Sequence, residues 1–290
     1  MKMWKKAASI ALVSALTVSM AACGNGGGSD KGSADADTFK IGGIGPTTGD
    51  AAIYGRAVQN GIQLAIDEIN EAGGINGYQI EFKFEDDQSD SEKSVNAYNT
   101  LKDWGMQMLV GTTTSTPCTA VVEETHADNM FQLTPSATAV ESIQYDNAFR
   151  ICFSDPEQGV AMADYAVDTL GYKKIAVLYN VADEYITGIY DAFTAEVEAK
   201  GAEIVDAESF NTGDVDFNSQ LTSIKGTDAV AIYVPAYYQD ITYITKQASE
   251  LGMELPFLGS DGWDGVLKTV TDPATVEGCI FTSPFCASVD

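Results

Sequence analysis

A single histidine, His126, and the lack of any Cys-x-x-Cys pair leave this 290-residue chain without the material of a zinc site or a Ser-His-Asp relay. No Gly-x-Ser-x-Gly elbow supplies a nucleophile either. Catalysis is therefore not expected, and neither is a cofactor or a bound metal. Positive charge is scarce: 16 Lys and Arg stand against 42 Asp and Glu, a net charge of −26. Such a surface repels a phosphate backbone or an anionic membrane over most approaches, so nucleic acid is excluded as a partner. No uninterrupted apolar run reaches the ~18 residues of a membrane-spanning helix. What remains is 45% apolar and 20% charged, with 27 glycines and 8 prolines. That is an ordered globular composition, long enough for two domains or one large one.

Lys2, Lys5 and Lys6 precede an apolar stretch from Ala7 to Met20, closed by Met20-Ala21-Ala22-Cys23. This order of charge, apolar core and small residues predicts a secretory signal over residues 1–22. Its last four residues resemble a bacterial lipobox, which implies a lipidated Cys23 and an extracytoplasmic protein held to the cell membrane by acyl chains alone. Removing residues 1–22 takes away three positive charges and no acid, so the net charge moves from −26 to −29. Residues 24–37 carry no large apolar side chain, and with Cys23 they predict a flexible tether of ~20 Å reach. Cys118, Cys152, Cys279 and Cys286 remain; the compartment permits disulfides, buried free thiols are an equal alternative, and the pairing is open.

From Thr38 onward, short β-rich runs alternate with amphipathic helices. Strands are expected at 39–44, 78–84, 106–110 and 130–133, with helices over 53–71, 92–104 and 116–127 between them. In the first of these helices Val58, Ile62, Ile66 and Ile69 share one face, and Gly73-Gly74 followed by Gly77 ends it. The rhythm restarts after Phe149, with helices over 158–170, 185–200, 217–224 and 241–251 and strands at 174–178, 203–207, 229–234, 257–258 and 278–282. Right-handed β-α-β crossovers then build an α/β fold of two Rossmann-like lobes with parallel sheets, lobe 1 over 38–150 and lobe 2 over 151–284. The acids Glu85, Asp86, Asp87 and Asp90 lack the order of a calcium loop and read as a solvated strand end and helix start. Gly43-x-Gly45 is followed by Pro46, which argues against a dinucleotide loop, and His126 reads as a surface helix residue.

Open parallel sheets bind ligands beyond the carboxyl ends of their strands. Those places hold Gly45-Pro46-Thr47-Thr48-Gly49 with Tyr54-Gly55, and then Gly111 to Thr116, a hydroxyl run at a helix N-terminus that favours an anion. Thr134-Pro135-Ser136-Ala137-Thr138 follows, and lobe 2 offers Tyr185, Tyr237-Tyr238 and Asp261-Gly262-Trp263. Each fragment alone has a plain reading as a cap, a turn or packing. Together they set donors in one lobe against aromatics and a carboxylate in the other.

In order and spacing, Ile41 to Gly49, Tyr54-Gly55, Asp67-Glu68-Ile69-Asn70, Gly73 to Gly77, Thr134 to Thr138, Asp216-Phe217 and Gly259 to Trp263 resemble the branched-chain amino-acid binding proteins of bacterial ABC transporters. The resemblance spans about 38–284. It implies a type I periplasmic-binding fold whose lobes, joined by a hinge near 149–153 and 284–286, close over one amino acid. It further implies that Ser115, in the same turn as Thr116, receives the ligand α-carboxylate. Thr138 would support carboxylate and ammonium, the Ala137 carbonyl would accept from the ammonium, and Asp261 would supply its counter-charge. Tyr54, Tyr185 and one of Tyr237 or Tyr238 would wall the side-chain pocket. Thr116-Pro117-Cys118 and Tyr185 to Gly188 depart from the small residues usual there, which bears on side-chain specificity. Residues 285–290 would begin a return crossover, so the implied fold lacks the C-terminal part of lobe 1. The expected function is that of a monomeric, lipid-anchored solute-binding protein that captures Leu, Ile or Val and delivers it to a membrane permease. The alternative within the same fold is a binder of a short amide, urea or aromatic solute, which has no need of Asp261.

Overall fold

A computed structural model describes residues 38–285; the expected signal and tether, Cys23 and Cys286 lie outside the described residues. The first half runs β1 (Thr38–Gly45), α1 (Ala52–Glu71), β2 (Gln79–Asp86), α2 (Ser91–Trp104), β3 (Met108–Val110), α3 (Ser115–Ala127), β4 (Gln132–Thr134) and β5 (Ala148–Arg150). These strands form one parallel sheet in the order β2-β1-β3-β4-β5. The second half runs α4 (Asp155–Asp164), β6 (Lys174–Asn180), α5 (Glu184–Ala199), β7 (Glu203–Phe210), α6 (Asn218–Lys225), β8 (Ala231–Val234), α7 (Tyr238–Glu250), β9 (Phe257–Gly259) and β10 (Ile280–Phe281). Its parallel sheet has the order β10-β9-β8-β6-β7. In each sheet the first strand is internal, with its successor on one side and the later strands on the other. The connections therefore diverge between β1 and β3 and between β6 and β8, opening a crevice at their carboxyl ends.

Three departures from the sequence reading matter for the site. Ala148–Arg150, read as a lobe boundary, is the fifth strand of the first sheet, paired with β4. The helix expected to start at Gln158 starts at Asp155. Ser154 Oγ accepts the Glu157 N–H at 3.4 Å while the Glu157 carboxylate accepts the Ser154 N–H at 2.7 Å, a capping box with proline in the first turn. After Asp164 that helix runs on as a π-helical turn, Tyr165–Thr169. The helix expected from Ile241 begins at Tyr238, which leaves Tyr237 at its N-cap.

Helix α4 lies hard against α5. A Cβ at Gly159 would stand 2.6 Å from the Ile189 carbonyl and 2.8 Å from the Phe193 N, so only glycine permits this approach. Beneath the second sheet and its helices lies a continuous core that includes Ile175, Phe193, Tyr233, Ile241 and Trp263. The first sheet has a smaller core around Ile44, Tyr98, Leu101 and Leu109. Helix α1 buries only Gly55 and Ile66, so the expected stripe of Val58, Ile62, Ile66 and Ile69 is half covered. Among the described residues Cys118, Cys152 and Cys279 are free thiols, and no helix is long and apolar enough to cross a membrane. His126 is exposed and stacks on Tyr145.

Candidate functional site

One wall of the crevice comes from the carboxyl ends of β3 and β4. Thr114 is the N-cap of α3 but makes no side-chain cap, its hydroxyl donating instead to Ser89 Oγ at 3.2 Å. The first-turn N–H groups of α3 therefore keep their donors, and the helix dipole favours negative charge in front of them. Ser115 follows, almost fully buried. Its Oγ accepts the N–H of Thr138 at 3.1 Å and of Ala139 at 3.2 Å. With both lone pairs engaged, its O–H is left to donate into the crevice.

The opposite wall is built around Asp261, immediately after β9. The Tyr185 hydroxyl donates to Asp261 Oδ1 at 2.6 Å, lies 2.7 Å from Ser260 Oγ, and accepts the Gly262 N–H at 2.9 Å. A Cβ at Gly262 would meet the Ala236 carbonyl at 2.6 Å and the Tyr185 hydroxyl at 2.8 Å, so the Asp-Gly pair reflects close packing as well as a turn. Burial pushes the Asp261 carboxyl up to about 6, against the pull of its hydrogen bonds with Tyr185 and Gln158. Tyr185 is raised well above the ordinary phenol value, by burial first and by the Asp261 charge second. From the first turn of α1, the Tyr54 hydroxyl reaches the Gly262 carbonyl, and its ring lies edge-on to Tyr238 at 5.3 Å and tilted to Tyr237 at 5.9 Å. Tyr185 stacks on Tyr237 at 5.0 Å.

These walls enclose a cavity of about 210 Å³ lined by Tyr54, Ser115, Thr138, Tyr185, Tyr237 and Asp261, six of the residues singled out in the sequence. Thr116, Ala137 and Tyr238 do not line it. The Thr116 hydroxyl instead donates to Asp183 Oδ1 at 3.4 Å and so joins the two walls at the rim. Ala137 is fully buried, and Tyr238 packs in the second core behind Tyr54. The volume lies below the ~300–1,000 Å³ of sites for drug-sized ligands, which suits a molecule no larger than an amino acid.

Thr114 and Ser136, inside the hydroxyl-bearing fragments read in the sequence but not singled out there, add hydroxyls to the donor wall, and Ser283-Pro284-Phe285, after β10, closes one side. Sequence reasoning missed Asp155 and Gln158. Asp155 stands on the first turn of α4. It is 1% exposed, neither carboxylate oxygen has a hydrogen-bond donor among the described residues, and its N–H donates to the Thr138 carbonyl at 3.0 Å. Burial pushes its carboxyl up to about 8, the Asp261 and Asp183 charges add to the rise, and the Arg150 charge opposes it. Gln158, one turn on, accepts the Asp261 N–H. The Ser-Asp-Pro-Glu capping signature was the signal that could have found this helix start. Away from the site, Asp87 departs from its expected solvated role: it is fully buried, held by the Ser89 N–H and the Ser94 hydroxyl, with its carboxyl raised by burial to about 6. Asp90 caps α2 as expected. Among the described residues no group of three or more His, Cys, Asp or Glu is arranged to hold a metal.

The sequence profile of the family described as "Periplasmic binding protein" matches residues 38–290. The chain is 31% identical over 245 residues to the Leu/Ile/Val-binding protein homolog 3 of Brucella melitensis, covering 84% of this chain and 66% of that one. It is 32% identical over 254 residues to the leucine-, isoleucine-, valine-, threonine- and alanine-binding protein of Pseudomonas aeruginosa, covering 86% and 67%. It thus spans about two thirds of the length of these relatives. Its fold is similar to that of the branched-chain amino acid transporter substrate-binding protein LivJ from Streptococcus pneumoniae, solved in complex with isoleucine, with a TM-score of 0.81, 35% identity, and coverage of 88% of this chain and 73% of that one.

Proposed function

The chain belongs to the periplasmic binding protein family, and from that premise we propose that it is the solute-binding component of an ABC transporter, capturing a single branched-chain amino acid. The observation that carries this reading is the polarity of the cavity. Ser115 and the free N–H groups of α3 offer donors at one end, and Asp261 offers a carboxylate at the other. An α-amino acid, whose carboxylate and ammonium share one carbon, suits a cavity that offers both kinds of partner, the carboxylate meeting the Ser115 side and the ammonium meeting Asp261. Tyr54, Tyr185 and Tyr237 then surround an apolar side chain. A neutral amide or an aromatic acid would leave Asp261 buried beside the ligand without a counter-charge, which is unfavourable by several kcal/mol.

Capture needs groups from both lobes, so the ligand stabilises the form in which they approach, and a permease can distinguish that form from the open one. No chemical step is assigned to the protein. Cys23 is the lipid attachment point, and the mature protein acts as a monomer outside the cell membrane. The test is a thermal-shift screen of all amino acids, small amides, urea and benzoate. A true ligand at 100 times its Kd raises stability by about 2.7 kcal/mol. The expected result is a large shift with Leu, Ile or Val and, at the same concentration, a much smaller one with acids lacking the ammonium; a shift with amides or benzoate alone would sink the proposal.

A further inference from the structure

Gln158 does not line the cavity, yet it holds the acidic wall from behind, and the helical turn that carries it also reaches the donor wall. It is 1% exposed. Its Oε1 accepts two hydrogen bonds, from the Asp261 backbone N–H at 3.1 Å and from the Thr282 hydroxyl at 2.9 Å. The same helical turn reaches the opposite wall, because Asp155 donates its N–H to the Thr138 carbonyl at 3.0 Å, and Arg150 Nη1 donates to that carbonyl at 2.8 Å and to the Ala139 carbonyl at 3.1 Å. Thr138 in turn donates to Ser115 Oγ. Hydrogen bonds at either end, joined by the chain of α4 from Asp155 to Gln158, therefore link Ser115 through Thr138 to Asp261. This link passes both places where the chain leaves a sheet, after β5 at Arg150 and after β10 at Thr282.

The sheets cannot hold Asp261 in place. It follows the three-residue strand β9, whose neighbour β10 has two residues. Its side chain is oriented by Tyr185, but its backbone N–H has one acceptor, and that acceptor is Gln158. Helix α4 is itself rigid, clamped on α5 through Gly159 and fastened at its start by the capping box. We propose that Gln158 is a positioning residue for amino-acid recognition: it fixes the backbone of Asp261, and hence the carboxylate that meets the ligand ammonium, relative to α4 and to the segment after β10. This deepens the reading of the site as an amino-acid site and rests on it. The predicted signature is selective, since a residue acting through Asp261 affects the ammonium end of the ligand and leaves the carboxylate end alone.

The experiment is calorimetry on the wild type and Gln158→Met with two probes, leucine and 4-methylpentanoate, the latter being leucine without its amino group. Gln158→Met keeps the length of the side chain and removes both polar atoms. The expected result is a loss of about tenfold in leucine affinity, the equivalent of one net hydrogen bond, with 4-methylpentanoate affinity changed less than about twofold. In an Asp261→Asn background the leucine effect of Gln158→Met should shrink below about twofold, because the two changes act on one interaction. Equal losses for both probes, or an undiminished loss in the Asp261→Asn background, would overturn the proposal in favour of a general packing role. So would a Gln158→Met variant that binds leucine as tightly as the wild type. A wild-type protein that binds no amino acid would instead sink the reading of the site itself, so the two failures are distinguishable.

Discussion

The two sheets have the same strand number and the same winding, yet their cores differ in scale. Among the described residues the second is surrounded by a cluster of 32 buried apolar residues, the first by a cluster of 7. Helix α5 buries Tyr185, Ile186, Ile189, Phe193 and Val197, whereas the longer α1 buries Gly55 and Ile66 alone. On the first sheet Phe131 and Phe149 stack on each other while remaining 43% and 48% exposed. The comparison teaches that a winding order is set by chain connectivity, whereas stability depends on how many apolar faces find a partner. Among the described residues the donor wall thus stands on the sheet with the smaller buried cluster, and the acidic wall on the sheet with the larger one.

Matched truncations test this difference most strongly. Ile189 and Ile44 are both fully buried, so their side chains carry the same transfer free energy and differ only in how far the surroundings relax. Ile189→Ala is expected to destabilise by about 4 kcal/mol and Ile44→Ala by about 2 kcal/mol, read from urea unfolding. Equal losses would mean the smaller core is as tightly packed as the larger. Next in size is Asp261→Asn, which removes the counter-charge while keeping the shape. Leucine affinity should fall about a hundredfold while the ligand-free unfolding midpoint stays level or rises, because burial of that charge is unfavourable without a ligand. Unchanged affinity would remove Asp261 from the site. Tyr185→Phe should cost about 1–2 kcal/mol of stability, since the Gly262 N–H loses its acceptor in a buried place.

The smallest expected effect concerns pH and again separates the two halves. The first lobe has one carboxyl markedly raised by burial, Asp87 at about 6, whereas the second has Asp155 at about 8, Asp240 at about 7, and Asp183 and Asp261 at about 6. Each binds its proton more tightly folded than unfolded. Its contribution to stability is therefore fully present below the unfolded carboxylate pKa near 4 and is lost as pH rises through the folded value. The ligand-free protein should melt a few degrees higher at about pH 5 than at about pH 8. Asp155→Asn should flatten the part of that slope between about pH 6 and 8. A slope that survives this substitution would place the titration elsewhere.

Much of the architecture was legible because it rests on local periodicity. The alternation of β-branched runs with amphipathic segments, punctuated by Gly73-Gly74 and Gly77, carried the strand and helix order to within a few residues at most ends. The fifth strand escaped because Ala148–Arg150 is three residues long and gains its identity from pairing with β4. The start of α4 escaped because apolar periodicity begins only after its capping box. At the site, Tyr54, Ser115, Thr138, Tyr185, Tyr237 and Asp261 were recoverable because each sits beyond a strand end or in the helix turn that follows, where parallel sheets place ligands. Asp155 and Gln158 were not read by this rule, because the strand that precedes their helix was itself not recognised. They stand at the start of a helix that follows an edge strand, and only the packing of α4 on α5 brings them beside Asp261.

By itself, then, the sequence determined the α/β class, the winding direction and the set of strand-end residues, because each follows from neighbours along the chain. Only the tertiary structure decided which hydroxyls still have a donor to give, why Thr116 bridges the rim while Ser115 lines the cavity, and that Gln158 meets the backbone of Asp261, more than a hundred residues away. Those outcomes depend on burial and on hydrogen-bond geometry between distant segments, and such distances are created by folding rather than by proximity along the chain.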